Sequence, residues 1–297
     1  MSLLVEDDNV KSSKSNFSIF KNEKFKYEGK EVSAAQFAYK IQCGFFQAID
    51  IEIINAVYLL KYSTSRQITQ FLNLVRNIEI DQSRVTKRLT ALNNSSCISR
   101  YSFFSDERTS ETGLKCYVLK ERGKRLLLQR EYKCDWDIFT NVLALENIKN
   151  YLAQNNYICK LLSSKIIDFY DIKFTTCSII YTVNNFKHLV VPLRSSDADK
   201  SIIKKIISQL NDFLNQKFKL IFICEDVMHM ANIFKSILEF YKAKEIDTAI
   251  INSTYFTSDL RILEKDIACC FNIFIINDRK LTCEDVIIDE LKNIVEK

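Results

Sequence analysis

The sequence predicts a mixed α and β fold in two parts: a helical N-terminal part with one β-hairpin, then an α/β domain with a mixed sheet. Apolar residues recur at helical spacing in the first part, and strand-like apolar runs alternate with amphipathic helices in the second. A hydrophobic content of 47%, with only four glycines and one proline in 297 residues, favours long regular elements around a substantial core. We divide the chain into a polar arm at 1–30, a helix-and-hairpin domain at 31–134 and an α/β domain at 135–297.

The polar arm at 1–30 combines charged residues with four scattered aromatic ones, Phe17, Phe20, Phe25 and Tyr27. Such a segment is ordered only if its aromatic side chains dock on the body of the protein. Its start is acidic and then polar, unlike a secretory signal, and no apolar run in the chain reaches the roughly 18–20 residues of a membrane span. We therefore expect a cytoplasmic protein with no membrane partner.

Three helices are predicted in the region 49–92. The first ends near Lys61, and Ser63-Thr64-Ser65 offers N-cap residues for the second. Asp81 is a good N-cap for the third helix, at 82–92. The predicted inward residues, helix by helix, are Ile49, Ile53, Val57 and Leu60; Ile68, Phe71, Leu72 and Val75; and Val85, Leu89 and Leu92.

A β-hairpin is predicted after these helices, with strands at 98–104 and 114–119, a polar tip at 105–113 and a further helix at 120–130. Three helices, two strands and a helix, in this order, are typical of a winged helix-turn-helix.

The positive charge is concentrated in this part of the chain. Residues 31–133 hold sixteen Lys and Arg against ten Asp and Glu, whereas residues 134–297 hold twenty Lys and Arg against twenty-two Asp and Glu. A basic surplus confined to one segment indicates a local anionic partner.

The C-terminal part begins with a helical segment at 135–165 that joins the two halves. Its inward residues are Trp136, Phe139, Val142, Leu143 and Leu145. Strands are predicted at 176–183, 188–193, 220–224, 248–251 and 271–276, and helices at 197–214, 227–241, 258–266 and 284–296. The first two strands form a hairpin through Asn184-Asn185, and the alternation that follows predicts an α/β domain with a mixed sheet.

The third helix carries the main functional signal, because its outward face combines hydroxyl and cationic side chains that suit DNA bases and phosphates. The candidate DNA contacts are Gln82, Ser83, Arg84, Thr86, Lys87, Arg88 and Thr90 on this helix, and Arg100, Arg108 and Lys115 on the hairpin. An ordinary solvated helix face is the alternative interpretation. Three acids in the polar tip, Asp106, Glu107 and Glu111, count against DNA contact there.

The region from Ile49 to Leu128 ends in a distinctive run, Tyr117-Val118-Leu119-Lys120-Glu121-Arg122-Gly123-Lys124-Arg125-Leu126-Leu127. An aromatic residue, an aliphatic pair and a glycine lead here from the last strand into a helix. This arrangement is similar to the replication-relaxation family of Gram-positive plasmids and conjugative elements, in which a winged helix precedes a restriction-endonuclease-like α/β domain. The resemblance covers the first half by motif and the second half only by element order. It implies DNA binding better than any particular process.

The same resemblance indicates where nuclease residues would lie. An active site of that fold needs an acid on one strand and an acid-x-Lys on the next, so that carboxylates hold Mg²⁺. The strand-like run 188–194 offers no such pair, Asp171 precedes the sheet, and Asp226 after Glu225 suits an N-cap as well as a metal. We therefore expect a degenerate endonuclease-like domain with no catalytic residue and no cofactor.

Metal binding through cysteine is also not predicted. The ten cysteines form no Cys-x-x-Cys motif, and the two histidines, His188 and His229, lie beside no cysteine cluster. We expect reduced, mostly buried thiols and no zinc site.

Taken together, these features predict a non-enzymatic protein that binds double-stranded DNA. It would be a transcriptional regulator or an accessory factor in the replication or transfer of a plasmid or another mobile element. The α/β domain would form a homodimer or dock a protein partner. Two alternatives stay open: a divergent metal-dependent nuclease using Asp171, Glu225 and Asp226, and a module that binds protein through the winged helix.

Overall fold

A computed structural model describes residues 14–107, 113–132, 144–175, 178–194, 199–210, 217–243, 248–277 and 280–292. In these ranges the fold is mixed α and β, with one three-stranded and one seven-stranded sheet. The chain divides into two compact units, Phe20–Asn155 as the first, and Met1–Ile19 with Asn156–Lys297 as the second. The predicted boundary after residue 134 and the predicted inward residues Trp136, Phe139, Val142 and Leu143 lie outside the described ranges. No helix within those ranges is long and apolar enough to cross a lipid bilayer.

The first unit combines helices with a three-stranded sheet. Its elements are β1 (Lys24–Tyr27), α1 (Ala34–Gln42), α2 (Ala48–Leu60), α3 (Ser65–Val75), α4 (Gln82–Asn93), β2 (Ile98–Phe104), β3 (Leu114–Leu119), α5 (Glu121–Leu128) and the first part of α6 (Leu145–Ser163). The three predicted helices, the two hairpin strands and the helix after them are thus confirmed as α2, α3, α4, β2, β3 and α5. The strand order is β1-β2-β3, antiparallel throughout.

Helices α3 and α4 begin at the predicted N-caps. The Thr64 hydroxyl accepts a hydrogen bond from the Gln67 N–H at 3.3 Å, and Gln67 Oε1 accepts one from the Thr64 N–H at 3.0 Å, which completes a capping box. Helix α6 holds the end of α2 and the turn before α3, because Asn155 Nδ2 donates to the carbonyls of Leu60 and Tyr62 at 2.9 and 2.7 Å. The predicted inward residues with no exposed surface are Ile53, Val57, Ile68, Phe71, Leu72, Val85, Leu89 and Leu92.

Strand β1 lies in the predicted polar arm, and its aromatic side chains do dock on the body. It pairs with β2, with Phe25 opposite Phe103 and Tyr27 opposite Tyr101. The ring centroids of Tyr27 and Tyr101 are 5.5 Å apart. Helix α1 was not predicted, although Ser33 and Gln36 form a capping box that the sequence pattern contains.

The second unit is a seven-stranded mixed sheet with helices. Its elements are the rest of α6, β4 (Lys173–Phe174), β5 (Ile179–Val183), β6 (Phe186–Pro192), α7 (Asp199–Leu210), β7 (Phe218–Cys224), α8 (Val227–Lys242), α9 (Thr248–Asn252), β8 (Thr254–Ser258), α10 (Asp259–Glu264), β9 (Phe271–Asn277) and β10 (Lys280–Val286). The strand order is β10-β9-β8-β7-β6-β5-β4. Strands β6, β7 and β8 are parallel, and the remaining neighbours are antiparallel. The predicted hairpin is confirmed, and Asn184 and Asn185 both have positive φ, as a tight hairpin turn requires.

Two predicted elements of this unit are wrong. Residues 248–251, predicted as a strand, belong to helix α9, and the strand is the next segment, β8. A short apolar run does not distinguish helix from strand by periodicity, and of these two segments it is β8 that forms a parallel ladder with β7. The predicted helix at 284–296 is also wrong at its start, because β10 pairs with β9 through Val286 and a short 3-10 helix, Asp289–Leu291, follows.

Candidate nucleic-acid interface

Helix α4 turns a buried seam inward and a polar face outward. Val85, Leu89 and Leu92 have no exposed surface. The exposed residues of the helix and its N-cap are Asp81, Gln82, Ser83, Arg84, Thr86, Lys87 and Thr90. The helical period therefore places the candidate contacts on one solvent-facing surface, with Arg88 as the exception described below.

The N-terminus of α4 is capped by the carboxylate of Asp81. Asp81 Oδ1 accepts hydrogen bonds from the Arg84 N–H at 2.8 Å and from the Ser83 hydroxyl at 2.5 Å. These bonds, the one from Ser83 above all, lower the pKa of Asp81. The N-terminus of the helix thus already has an anion beside it, which disfavours a phosphate there and leaves phosphate contact to cationic side chains.

Two cations on the outward face of α4 are available to a ligand. Neither Arg84 nor Lys87 has an ion-pair partner among the described residues, and both are exposed. The hydroxyls of Thr86 and Thr90 donate to the carbonyls one turn earlier, at 2.8 and 3.0 Å, and keep their lone pairs as acceptors. The face therefore offers positive charge and hydrogen-bonding groups together.

Arg88 is held inside the first unit. Its Nε donates to Asp50 Oδ1 at 2.7 Å, and its Nη2 donates to Asp50 Oδ2. The Asp50 side chain has no exposed surface and that of Arg88 is 19% exposed. The hydrogen bonds to Asp50 raise the pKa of Arg88. The structure uses Arg88 to tie α4 to α2 and does not leave its charge free.

The hairpin residues are placed differently from one another. Arg100 Nε donates to Glu28 Oε2 at 2.7 Å, across the β1–β2 pair. Burial acts to raise the pKa of Glu28, but hydrogen bonds and the positive charges of Arg100 and Lys115 outweigh it, so that the pKa is lowered. Lys115 is exposed on β3. Arg108 lies outside the described residues.

Sequence reasoning missed Lys24 and Lys26, which lie exposed on β1 beside the hairpin. The available signal was the alternation Lys24-Phe25-Lys26-Tyr27, in which every second side chain faces the same way. A polar arm at 1–30 contains no predicted strand, and Lys24 and Lys26 are therefore not expected beside Lys115 on the sequence alone.

Of the acids considered for a nuclease, Asp171 lies apart from the adjacent pair Glu225 and Asp226 within the second unit. Asp171 lines an open groove of about 680 Å³ with Lys187 and Lys217, at the amino ends of β6 and β7. Glu225 follows the carboxyl end of β7, where its Oε1 accepts from the Ile19 N–H at 2.6 Å. Asp226 caps α8 by accepting from the His229 N–H at 2.8 Å. Among the described residues no group of three or more His, Cys, Asp or Glu side chains could hold a metal ion.

No protein-family model matches the sequence, and no curated protein matches it significantly. Function is therefore inferred from the molecule's own surfaces, chiefly the outward face of α4.

Proposed function

We propose that the first unit is a winged helix-turn-helix domain that binds duplex DNA, with α4 in the major groove and the β2–β3 hairpin beside it. The observation that carries the proposal is the outward face of α4, where Arg84 and Lys87 are exposed among hydroxyl groups and have no ion-pair partner in the described part of the chain. An arginine in the groove can bind the edge of guanine in bidentate fashion, and a lysine contributes phosphate affinity.

The connection between helices and hairpin supports this assignment. A single antiparallel bridge joins Ser63, between α2 and α3, to Tyr117 on β3. The Tyr117 N–H donates to the Ser63 carbonyl at 2.8 Å, and the Ser63 N–H donates back at 3.2 Å. The hairpin is thereby attached to the turn that precedes α3, and the Arg88–Asp50 pair holds α4 against α2. A rigid support of this kind favours recognition by a helix.

The biological role that fits best is a transcriptional regulator or an accessory factor in plasmid or mobile-element replication or transfer, in line with the resemblance to the replication-relaxation family. The second unit would then serve homodimerisation or docking of a protein partner without catalysis. The separation of Asp171 from Glu225 supports a role without cleavage, because Mg²⁺-dependent hydrolysis needs carboxylates that converge on the ion.

The test is fluorescence anisotropy of labelled duplex DNA at several salt concentrations. Wild type is expected to bind with a micromolar Kd that weakens steeply with salt, and Arg84→Ala/Lys87→Ala to bind roughly tenfold more weakly with a salt slope smaller by about 2. Lys165→Ala/Lys242→Ala, which removes from the second unit two exposed charges with no ion-pair partner among the described residues, is the matched control and should bind like wild type. Absence of binding at low salt would overturn the proposal.

A second candidate is a protein-binding role for the same face. It is favoured by the ionised Asp81 at the start of α4 and by exposed Asp106 and Glu107 beside the hairpin tip, all of which repel phosphate. If DNA does not bind but α4 is protected from amide exchange in the presence of a protein partner, this candidate replaces the first.

A further inference from the structure

Strand β1 turns the predicted two-stranded hairpin into a three-stranded sheet with two unlike faces. Phe25 and Tyr27 face the side on which Tyr101 and Phe103 lie, and the rings of Phe25 and Tyr101 meet edge to face at 5.9 Å. This aromatic side anchors the strand. The residues between them, Lys24 and Lys26, therefore face the opposite side of the sheet.

The register aligns the lysines across all three strands. Lys26 is opposite Ser102 on β2, and Ser102 is opposite Lys115 on β3. Directly paired residues project from the same face, so Lys26 and Lys115 flank the small Ser102 side chain across about 10 Å, twice the strand spacing. Lys24 lies on the same face, about 7 Å along β1 from Lys26.

These three lysines form a basic surface, here called the sheet-face lysines: Lys24, Lys26 and Lys115. All three are exposed, and none has an ion-pair partner among the described residues. The acid on this face, Glu28, is held by the guanidinium of Arg100. Lys115 also acts on Glu28 through its charge, so Lys24 and Lys26 contribute most of the surplus positive charge of this face, and such a surplus attracts a polyanion.

Lysines on an edge strand also have a purely protective use, because they discourage pairing with a second molecule. Strand β1 is at the edge of its sheet, paired only with β2 in the described part of the chain. Protection could also apply to Lys115 on the other edge strand, β3, but it does not require the lysines of both edges to lie on the same face, as they do here. The convergence of both edges on one face favours a ligand.

We propose that the sheet-face lysines contact the phosphate backbone of the duplex that α4 reads, so that the N-terminal strand is part of the DNA-binding surface. The inference rests on the proposed function and extends it to a strand outside the helices and the hairpin. Contacts of this kind supply affinity without base information, because phosphates are the same at every step.

The experiment uses the full chain and compares Lys24→Gln/Lys26→Gln with Lys21→Gln/Lys30→Gln. The control pair is also exposed and removes the same charge, but from positions just outside β1. Binding of several unrelated duplexes is measured by anisotropy between low and moderate salt. The Lys24/Lys26 variant should bind every duplex roughly tenfold more weakly and lower the salt slope by about 2, whereas the control should lower it much less.

The outcomes separate this inference from the proposed function. If binding depends on Arg84 and Lys87, but the Lys24/Lys26 variant binds DNA as tightly as its control, the inference is overturned and the proposed function stands. Aggregation of the Lys24/Lys26 variant with unchanged DNA affinity, seen by light scattering, also overturns it and assigns the lysines to edge protection. A wild type that does not bind DNA overturns both. Unchanged thermal unfolding of both variants ensures that a loss of binding is not a loss of fold.

Discussion

Gly123 shows how one residue sets the packing of the first unit. It lies inside α5, where glycine costs roughly 1 kcal/mol relative to alanine, so a reason for it must come from packing. A Cβ built at this position would be 2.3 Å from the Cys97 carbonyl oxygen and 2.5 Å from Leu119 Cδ1. The same carbonyl accepts the Lys120 N–H at 3.0 Å, so the backbone there has no room to move away.

We expect Gly123→Ala to destabilise the protein by about 1–3 kcal/mol, because the clash outweighs the gain in helix propensity. The measurement is urea unfolding followed by circular dichroism. Arg125→Ala, at an exposed position of the same helix, serves as the control and should change the free energy of unfolding by under about 1 kcal/mol. A Gly123→Ala protein as stable as wild type would contradict the packing seen here.

His188 is buried, and its ring makes no hydrogen bond to the described residues. Its ring stacks on Tyr181 with centroids 4.7 Å apart, and neither ring nitrogen has a hydrogen-bond partner among the described residues. Burial, and to a smaller extent the positive charge of Lys219, lowers the pKa of His188 to about 4. The side chain is therefore a neutral part of the core at pH 7.

This lowered pKa predicts a pH dependence of stability. The unfolded histidine titrates near 6.5, so between about pH 6.5 and 4 the unfolded state binds more protons than the folded one. The contribution of neutral His188 to the free energy of unfolding is complete above about pH 6.5. It falls as the solution becomes more acidic, by about 3 kcal/mol in total. His188→Phe keeps the stacked ring and removes the titration. Denaturant unfolding at pH 7 and 4.5 should show a smaller loss in this variant than in wild type, and equal losses would refute the assignment.

At the scale of elements, the pair of Asp50 and Arg88 joins α2 to α4. Asp50 also accepts the Gln47 N–H at 2.8 Å, so one buried carboxylate serves a helix start and an interhelical ion pair. Burying two charges is costly, and such a pair stabilises a fold only as long as both partners are present. The position of α4 thus depends on a residue 38 positions earlier in the chain.

Asp50→Ala should cost about 3–5 kcal/mol, because it leaves the Arg88 guanidinium without its partner in a largely buried site. Asp50→Leu/Arg88→Met, which replaces the pair by apolar groups, should recover most of that loss. Glu52→Ala, which breaks the part-exposed pair with Arg76, is the comparison and should cost less. Chemical denaturation of all variants measures these differences, and a double variant no more stable than Asp50→Ala would count against the pairing.

At the scale of the whole molecule, the N-terminal segment belongs to the second unit before it enters the first. The Ser15 hydroxyl donates to Asp259 Oδ2 at 2.7 Å, and the Ile19 N–H donates to Glu225 Oε1 at 2.6 Å. The chain passes to the first unit after Ile19 and returns within α6 after Asn155. The chain therefore passes between the two units twice.

Ile19→Pro removes the N–H that Glu225 accepts, and it should release this segment. A hydrogen bond to a charged group contributes about 1.5–3 kcal/mol, so the released population should rise about tenfold or more. Limited trypsin digestion followed by mass spectrometry should show faster cleavage after Lys14 and Lys21. Ile19→Ala retains the N–H and is the matched control. Equal cleavage rates in the two variants would show that the hydrogen bond does not hold the segment.

Several elements depended on contacts that no local pattern reveals. The run at 248–251 is apolar and short, so it fits a strand as well as the helix it forms, and the ladder of β8 on β7 decides between them. Strand β1 has the right alternation, but four residues become a strand only where β2 offers an edge. Strand β10 likewise takes its form from β9.

The sequence by itself determined the succession of helices α2 to α4, the two hairpin strands and the division of α4 into an inward and an outward face, because these follow from the local period of apolar residues and from caps within a few positions. Only the tertiary structure decided which cations are free. Arg88 is held by Asp50, and Arg100 by Glu28, 72 positions away. Ion pairing depends on distance in space, which residue spacing along the chain does not encode.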